Sequence, residues 1–289
     1  MRDNFCVFIL THGRADRVVT FDTITKAGYS GEIYLVVDDE DKELPRYIEK
    51  YGEKVLVFSK EEVAKTFDTG DSSEERKVIV FARNACFGLA RELGFRYFLQ
   101  LDDDYTSVQF KFDAQRFWGD WRVQTKLDDV FEAMLQFLDD TEATTVAMAQ
   151  NGDFIGGEEG SFAQSVALKR KAMNTFFCDA ERPFQFLGRI NEDVNLYTWR
   201  GRCGDRIFTS NQVAITQRST QSNAGGMTET YTDVGTYVKS FFSVMYCPSS
   251  VKISDMGSSH RRIHHQVSWN NTCPKIMSES WRKSKAAAI

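Results

Sequence analysis

The chain predicts an α/β fold built on a Rossmann-like, mostly parallel central sheet flanked by helices, and three observations carry that reading. Short apolar strands alternate with helical segments through the first hundred residues. The helical segments stop at glycines. Polar clusters stand just past the strands, where α/β sheets bind their ligands. Phe5–Leu10 is the first strand, followed by a helix over Arg17–Ala27 that ends at Gly28. Glu32–Val37 is the second strand, Asp41–Tyr51 a helix ending at Gly52, and Lys54–Phe58 the third strand. Val78–Leu93 is a helix stopped by Gly94, and Arg96–Leu101 is a further strand. Strands joined through helices pair in parallel.

The second half is less regular. Leu127–Leu138 reads as a helix and Thr144–Ala149 as a strand, followed by a loop bearing Gly152, Gly156, Gly157 and Gly160. Ser165–Leu168, Ile207–Ile215 and Phe241–Tyr246 read as strands, and the polar segment Gln217–Asp233 as a mobile loop. No repeat, low-complexity tract or proline-marked linker divides the chain, so a single domain over residues 1–289 is expected.

With 289 residues, 42% apolar and 27% charged, the chain has the composition of a soluble enzyme with a large core. A net charge of -5 gives no whole-molecule attraction to nucleic acid or to an anionic membrane. The six cysteines are scattered without a CxxC pair, which argues against a zinc knuckle and suits reduced thiols. Phe5–Leu10 is too short for a signal-peptide core and no stretch approaches a membrane span, so a cytoplasmic protein with no membrane partner is expected.

Asp102, Asp103 and Asp104 close the Arg96–Leu101 strand. Three adjacent carboxylates repel one another unless a cation or hydrogen bonds offset them. Mg²⁺ or Mn²⁺, with its preference for oxygen ligands, meets that need through one or two carboxylates and a diphosphate. Residues two apart near a strand end share a side, so Asp102 and Asp104 face a ligand together while Asp103 faces another way. A solvated acidic turn is the plain alternative. Thr11-His12-Gly13-Arg14 follows the first strand and Asp38-Asp39 the second, so three polar clusters meet on one sheet edge.

The apolar strand followed by LDDD resembles the DxD motif of GT-A glycosyltransferases. More narrowly, the chain resembles the TET-associated glycosyltransferases, found largely in bacteriophage. The matching segments are ILTHGRADR (Ile9–Arg17), LQLDDDY (Leu99–Tyr105), GRINEDVNLYT (Gly188–Thr198) and SHRRIHH (Ser259–His265). The resemblance implies a GT-A fold with a UDP-sugar donor held through Mn²⁺ or Mg²⁺. It makes Asp104 the metal ligand, Asp102 the donor contact that shares the metal site, and His264 or His265 the late metal ligand. Thr11, His12, Arg14, Asp38, Arg83, Asn84, Asp103, Arg189 and Arg262 fall to the donor. Residues 1–105 become the nucleotide-sugar-binding half and 106–289 the acceptor-binding half with a basic C-terminal tail.

In inverting members one carboxylate of the later acidic pair deprotonates the attacking hydroxyl, which leaves Glu192 and Asp193 both in play. In a retaining enzyme the pair only positions the acceptor. From the residues alone, Asn191 also suits a helix cap for Val194–Trp199, with early acids favoured by its dipole.

The acceptor implied by the resemblance is the hydroxymethyl group of a 5-hydroxymethylpyrimidine, 5-hydroxymethylcytosine, in phage DNA. Lys169-Arg170-Lys171, the cluster Arg200, Arg202 and Arg206, and Arg261, Arg262, Lys275, Arg282, Lys283 and Lys285 are then candidates for phosphate contacts. Trp118, Trp121 and Trp199 are candidates for stacking on a flipped base. The same fold acting on a protein or small molecule, and a non-catalytic reader of nucleotides or modified bases, are the alternatives.

Overall fold

The computed structural model describes residues 1–72, 76, 78–115, 117–217, 227–256 and 262–272. The order of elements is β1 (Phe5–Leu10), α1 (Val19–Lys26), β2 (Glu32–Asp38), α2 (Leu44–Tyr51), β3 (Val55–Phe58), α3 (Lys60–Ala64), α4 (Val80–Glu92) and β4 (Tyr97–Asp102). There follow β5 (Tyr105–Phe112), β6 (Trp118–Arg122), α5 (Leu127–Thr141), β7 (Thr145–Gln150), α6 (Ser161–Gln164), β8 (Phe176–Asp179) and α7 (Glu192–Arg202). The chain continues through β9 (Ile207–Gln217), α8 (Met227–Tyr246), β10 (Val251–Met256), β11 (Arg262–Val267) and α9 (Trp269–Thr272).

Among the described residues nine strands form one sheet in the order β3-β2-β1-β4-β8-β7-β9-β5-β6. The first four are mutually parallel, β8 runs against β4 and β7, β9 is parallel to β7, and β5 runs against β9 and β6. Seven of the nine strands therefore point one way, and β8 and β5 are the exceptions. The α/β expectation with a mostly parallel sheet holds. Neighbouring β2, β1 and β4 bring the loops that follow them to one carboxyl edge.

β1 is buried along its whole length because helices cover both faces of the sheet. Phe5, Val7 and Ile9 join a core with α1, α2 and α5 on one side, while Cys6, Phe8 and Leu10 join a core with α4 and α7 on the other. A smaller cluster around Phe154 and Phe162 sits by β5, β6 and β9. The five described cysteines are free. No helix of the described residues is long and apolar enough to cross a membrane.

Several expectations for the second half are corrected. Phe241–Tyr246 lies in α8 and is not a strand: Phe242 and Ser243 are buried while Phe241 and Met245 are exposed, a helical spacing that so short an apolar run conceals. Ser165–Leu168 forms no strand; its first three residues are exposed and no strand of the described residues pairs with it. Of the expected loop Gln217–Asp233, Gln217 ends β9 and Met227 onward is helical, while 218–226 lie outside the described residues. The strands β5, β6, β8, β10 and β11 were not anticipated as elements.

Gly28 closes α1 at φ 90°, and a Cβ there would stand 2.7 Å from the carbonyl of Thr125, where the chain enters α5. Gly28→Ala combines left-handed strain with a backbone clash. It should lower unfolding free energy by roughly 2–4 kcal/mol, read as a fall in the urea midpoint at unchanged slope. An unchanged midpoint would contradict this packing.

Candidate active site

The acidic triplet turns the chain from β4 into β5. Its backbone is pinned by Thr20 of α1, whose amide donates to the Asp103 carbonyl (3.1 Å) and whose hydroxyl donates to the Asp102 carbonyl (2.6 Å). Asp103 is buried and accepts from Thr11 Oγ1 (2.7 Å) and Arg14 Nη1 (2.9 Å), so it ties the triplet to the loop after β1. Burial raises its carboxyl above the ordinary range although Arg14 and Thr11 pull it down. Asp102 is half-buried and turns instead toward α4, and Asp104 is half-buried beside it.

Arg83 of α4 is 1% exposed and lies between two carboxylates. Its Nη2 donates to Asp102 (3.1 Å) and its Nε to Glu192 at the start of α7 (3.0 Å). Phe176 and Phe186 stand 5.1 and 5.7 Å from the guanidinium carbon. Its Nη1 is buried and has no hydrogen-bond partner among the described residues. Burial opposes the Arg83 charge, but Asp102 and Glu192 more than restore it. Burial pushes Asp102 up against the pull of Arg83, and Asp104, Asp103 and Glu192 add to the push, leaving its carboxyl at about 7.

Asp193 is buried beside Glu192 and accepts the Val194 amide (2.8 Å). Burial and the Glu192 charge hold it at about 7, against the Val194 amide and the charges of Arg83 and Lys239. The preceding Asn191 adopts φ 54° and makes no side-chain cap; its amide reaches the Lys239 carbonyl of α8 (2.7 Å) instead. Just upstream, Gly188 at φ 80° lets Asn195 approach so closely that a Cβ would meet its Nδ2 at 2.5 Å.

On the other flank, His12 Nδ1 contacts Asp38 (2.6 Å), and the buried Lys60 pairs with the same carboxylate (2.9 Å). Burial disfavours the Asp38 charge, but the bonds from His12 and Lys60 prevail and hold its carboxyl below the ordinary range. Asp41 accepts the Gly13 amide (2.7 Å), and Tyr47 accepts the Arg14 amide (2.8 Å). Sequence reading missed Lys60 and Asp41 as site residues. The signal for Lys60 is only a lysine two positions past the end of β3.

The remaining candidates are spread wider. Asn84 spends both ends of its amide on the backbone of Phe186, accepting from its amide (2.9 Å) and donating to its carbonyl (3.0 Å). Arg189 donates to Asp71 (2.7 Å) with its guanidinium 5.5 Å from the Phe242 ring. His264 and His265 lie on β11, in a hairpin packed on α8, with rings 4.2 Å apart. Burial, with the charges of His264 and Lys239, drops His265 to about 4, so its imidazole is neutral near pH 7. The Arg262 side chain, like Arg261, Lys275, Arg282, Lys283 and Lys285, lies outside the described residues.

Of the expected phosphate contacts, Arg170 and Lys171 both pair with the buried Asp153, Arg200 with Asp205, and Arg206 with Glu142. Arg202 lies over Trp199 at 4.5 Å, Trp118 packs on Phe112 and Phe154, and Trp121 is exposed.

The donor set around Arg83 fits a divalent cation. Asp102, Asp103, Asp104, Glu192 and Asp193 gather around the guanidiniums of Arg83 and Arg14, and the Lys239 ammonium acts on Asp193 from α8. Among the described residues the carboxyl groups there outnumber the cationic ones, the ligands are hard oxygens, and Asp102 and Asp104 are the partly exposed members. Among the described residues it is His12, Asp38 and Asp41 whose ligand atoms all lie within 4.8 Å of one another, but a cation there competes with Lys60 for Asp38.

A family model described as TET-Associated Glycosyltransferase matches residues 5–226. No curated protein matches the chain. Among solved structures, TarS of S. aureus is similar at 14% identity and a TM-score of 0.45, over 75% of this chain and 37% of that one. Its 1–349 fragment in complex with UDP is similar at 14% identity and a TM-score of 0.45, over 74% and 60%. Glucosyl-3-phosphoglycerate synthase from Mycobacterium tuberculosis, in complex with Mg²⁺ and UDP, is similar at 12% identity and a TM-score of 0.46, over 92% and 88%. The chain thus spans less than two thirds of either TarS structure.

The ties of Asp103 are expected to act on stability. Asp103→Ala removes a buried carboxylate that accepts from Thr11 and Arg14, and should cost roughly 2–4 kcal/mol in chemical denaturation. A cost below about 0.5 kcal/mol, typical of a surface change, would contradict this role.

Proposed function

The chain belongs to the TET-associated glycosyltransferase family, and on that premise we propose that it transfers a sugar from a UDP-sugar to the hydroxymethyl group of 5-hydroxymethylcytosine in DNA. The observation that carries the proposal is the meeting of Asp102 with the Glu192–Asp193 pair across the Arg83 guanidinium. A donor-side carboxylate and an acceptor-side acidic pair, far apart in the chain, share one small volume. On this reading residues 1–105 hold the nucleotide sugar, residues 106–289 shape the acceptor side, and the reaction takes place in the cytoplasm.

Asp102 and Asp104, with His264 or His265, would hold Mn²⁺ or Mg²⁺, which when bound offsets the diphosphate charge. Thr11, His12, Arg14 and Asp38 frame the nucleoside, and Arg189 and Arg262 supply cationic groups toward the diphosphate. Arg83 and Asn84 act from behind, because both are committed to the protein's own groups. The acceptor hydroxyl oxygen bonds to the anomeric carbon as the bond from that carbon to the diphosphate oxygen breaks, and UDP departs.

The hydroxyl proton goes to Asp193. Glu192 is held by its ion pair with Arg83, whereas the neighbouring Asp193 carboxyl is poised near neutral pH. Since the Asp193 carboxyl sits at about 7, the basic form grows as pH rises. kcat should climb through pH 7 and level above it. Asp193→Asn should lower kcat by roughly 10²–10⁴-fold and flatten that limb, with a smaller loss in Glu192→Gln. A larger loss in Glu192→Gln, with the limb kept in Asp193→Asn, would reverse the assignment.

Labelled UDP-sugars offered with hydroxymethylated DNA, unmodified DNA and protein test the acceptor. Label is expected in hydroxymethylated DNA alone. Label in protein instead would keep the transferase and overturn its acceptor.

A further inference from the structure

Arg83 stands out as a charged side chain that the transfer chemistry leaves without a direct task. It is 1% exposed, too deep to reach a substrate, yet it is the only described side chain bonded to both Asp102 and Glu192. Its planar fork makes that bridge possible: Nε and Nη2 point to different carboxylates from one rigid group, which a lysine ammonium cannot reproduce. The third nitrogen, Nη1, is buried with no hydrogen-bond partner among the described residues, so the guanidinium carries an unused donor. The aromatic rings of Phe176 and Phe186 stand beside it without supplying an acceptor. Anything that draws charge from Asp102 therefore changes what Arg83 offers to Glu192, and the reverse holds equally.

We propose that Arg83 is a positioning residue that couples the two halves of the site, so that cation engagement at Asp102 tightens the hold of Arg83 on Glu192 and orders the start of α7. This rests on the donor-site reading above. The bond that weakens is Nη2–H to Asp102, and the one that strengthens is Nε–H to Glu192; no proton changes owner. Because Asn191 ties the same helix start to α8 and Asp193 follows Glu192 directly, the acceptor-side base is set in place only when the donor side is filled. By reciprocity, neutralising Glu192 leaves Arg83 wholly to Asp102 and weakens cation binding.

The test is a double-mutant cycle read on Mn²⁺ affinity by calorimetry, with no sugar donor or acceptor present. The full chain, Glu192→Gln, Arg83→Lys and the double variant are titrated with MnCl₂. Lysine keeps the charge and removes only the fork, so through-space electrostatics stay nearly constant across the cycle. Glu192→Gln is expected to weaken Mn²⁺ binding about five-fold or more when Arg83 is present, and to have little effect in the Arg83→Lys background. An equal change in both backgrounds, or none in either, overturns the coupling while leaving the donor-site reading intact. Absence of Mn²⁺ binding in the unsubstituted chain overturns that reading, and the coupling falls with it. If Arg83→Lys unfolds, Glu192→Asp, which keeps the carboxylate charge and shortens its reach to Arg83, replaces it: weaker Mn²⁺ binding supports the coupling, and unchanged affinity overturns it.

Discussion

A guanidinium shut away from water must be matched by carboxylates, and the site is arranged around that demand at Arg83. Desolvating such a charge is expensive, and mutual attraction offsets the cost only when the geometry is good and further groups are satisfied. Asp102 and Glu192 provide the match from two separate elements. The backbone is drawn in as well: the Arg83 carbonyl accepts from Gln100 of β4 (2.9 Å), one strand position from Leu101 and two from Asp102. The helix that supplies Arg83 also supplies Cys86, Phe87 and Ala90 to the core beneath the sheet, so the cation cannot drift without disturbing packing.

The same triplet serves two separate tasks because strand and turn geometry send its members in different directions. Asp103 turns to Thr11 and Arg14 and holds the loop after β1 against the end of β4. Asp102 turns to Arg83, and Asp104 remains beside it. On the far side of that loop, Asp38 gathers His12 and Lys60, and Asp41 takes the Gly13 amide. The loop is therefore clamped between two acidic anchors, one from β4 and one from the β2 end. A loop held in this way has less ordering left to do when a ligand binds against it.

The first half of the fold was legible because its signals are local. Strands buried on both faces show as continuous apolar runs, and the stops at Gly28, Gly52 and Gly94 all have positive φ. Legibility fell where the signal is short or shared. Phe241–Tyr246 is apolar enough for a strand, and only burial shows its helical period. β8 is four residues long, and β5 mixes polar with apolar residues directly after an acidic turn. The acidic triplet and the Glu192–Asp193 pair stood out as sequence motifs, but nothing local joins Arg83 to Glu192 across 109 positions. Lys60 was hidden for a similar reason: a lysine in a charged stretch reads as surface until Asp38 is seen opposite it.

The proposed function requires a divalent cation and a sugar diphosphate to meet at the partly exposed carboxylates of the triplet. A crystal structure of the protein with Mn²⁺ and UDP addresses it most directly, with the anomalous signal of manganese fixing the ion. Manganese is expected between Asp104, Asp102 and the diphosphate, with the nucleoside against the loop after β1. Manganese held by His12, Asp38 and Asp41 instead, or UDP bound away from the triplet, would contradict it.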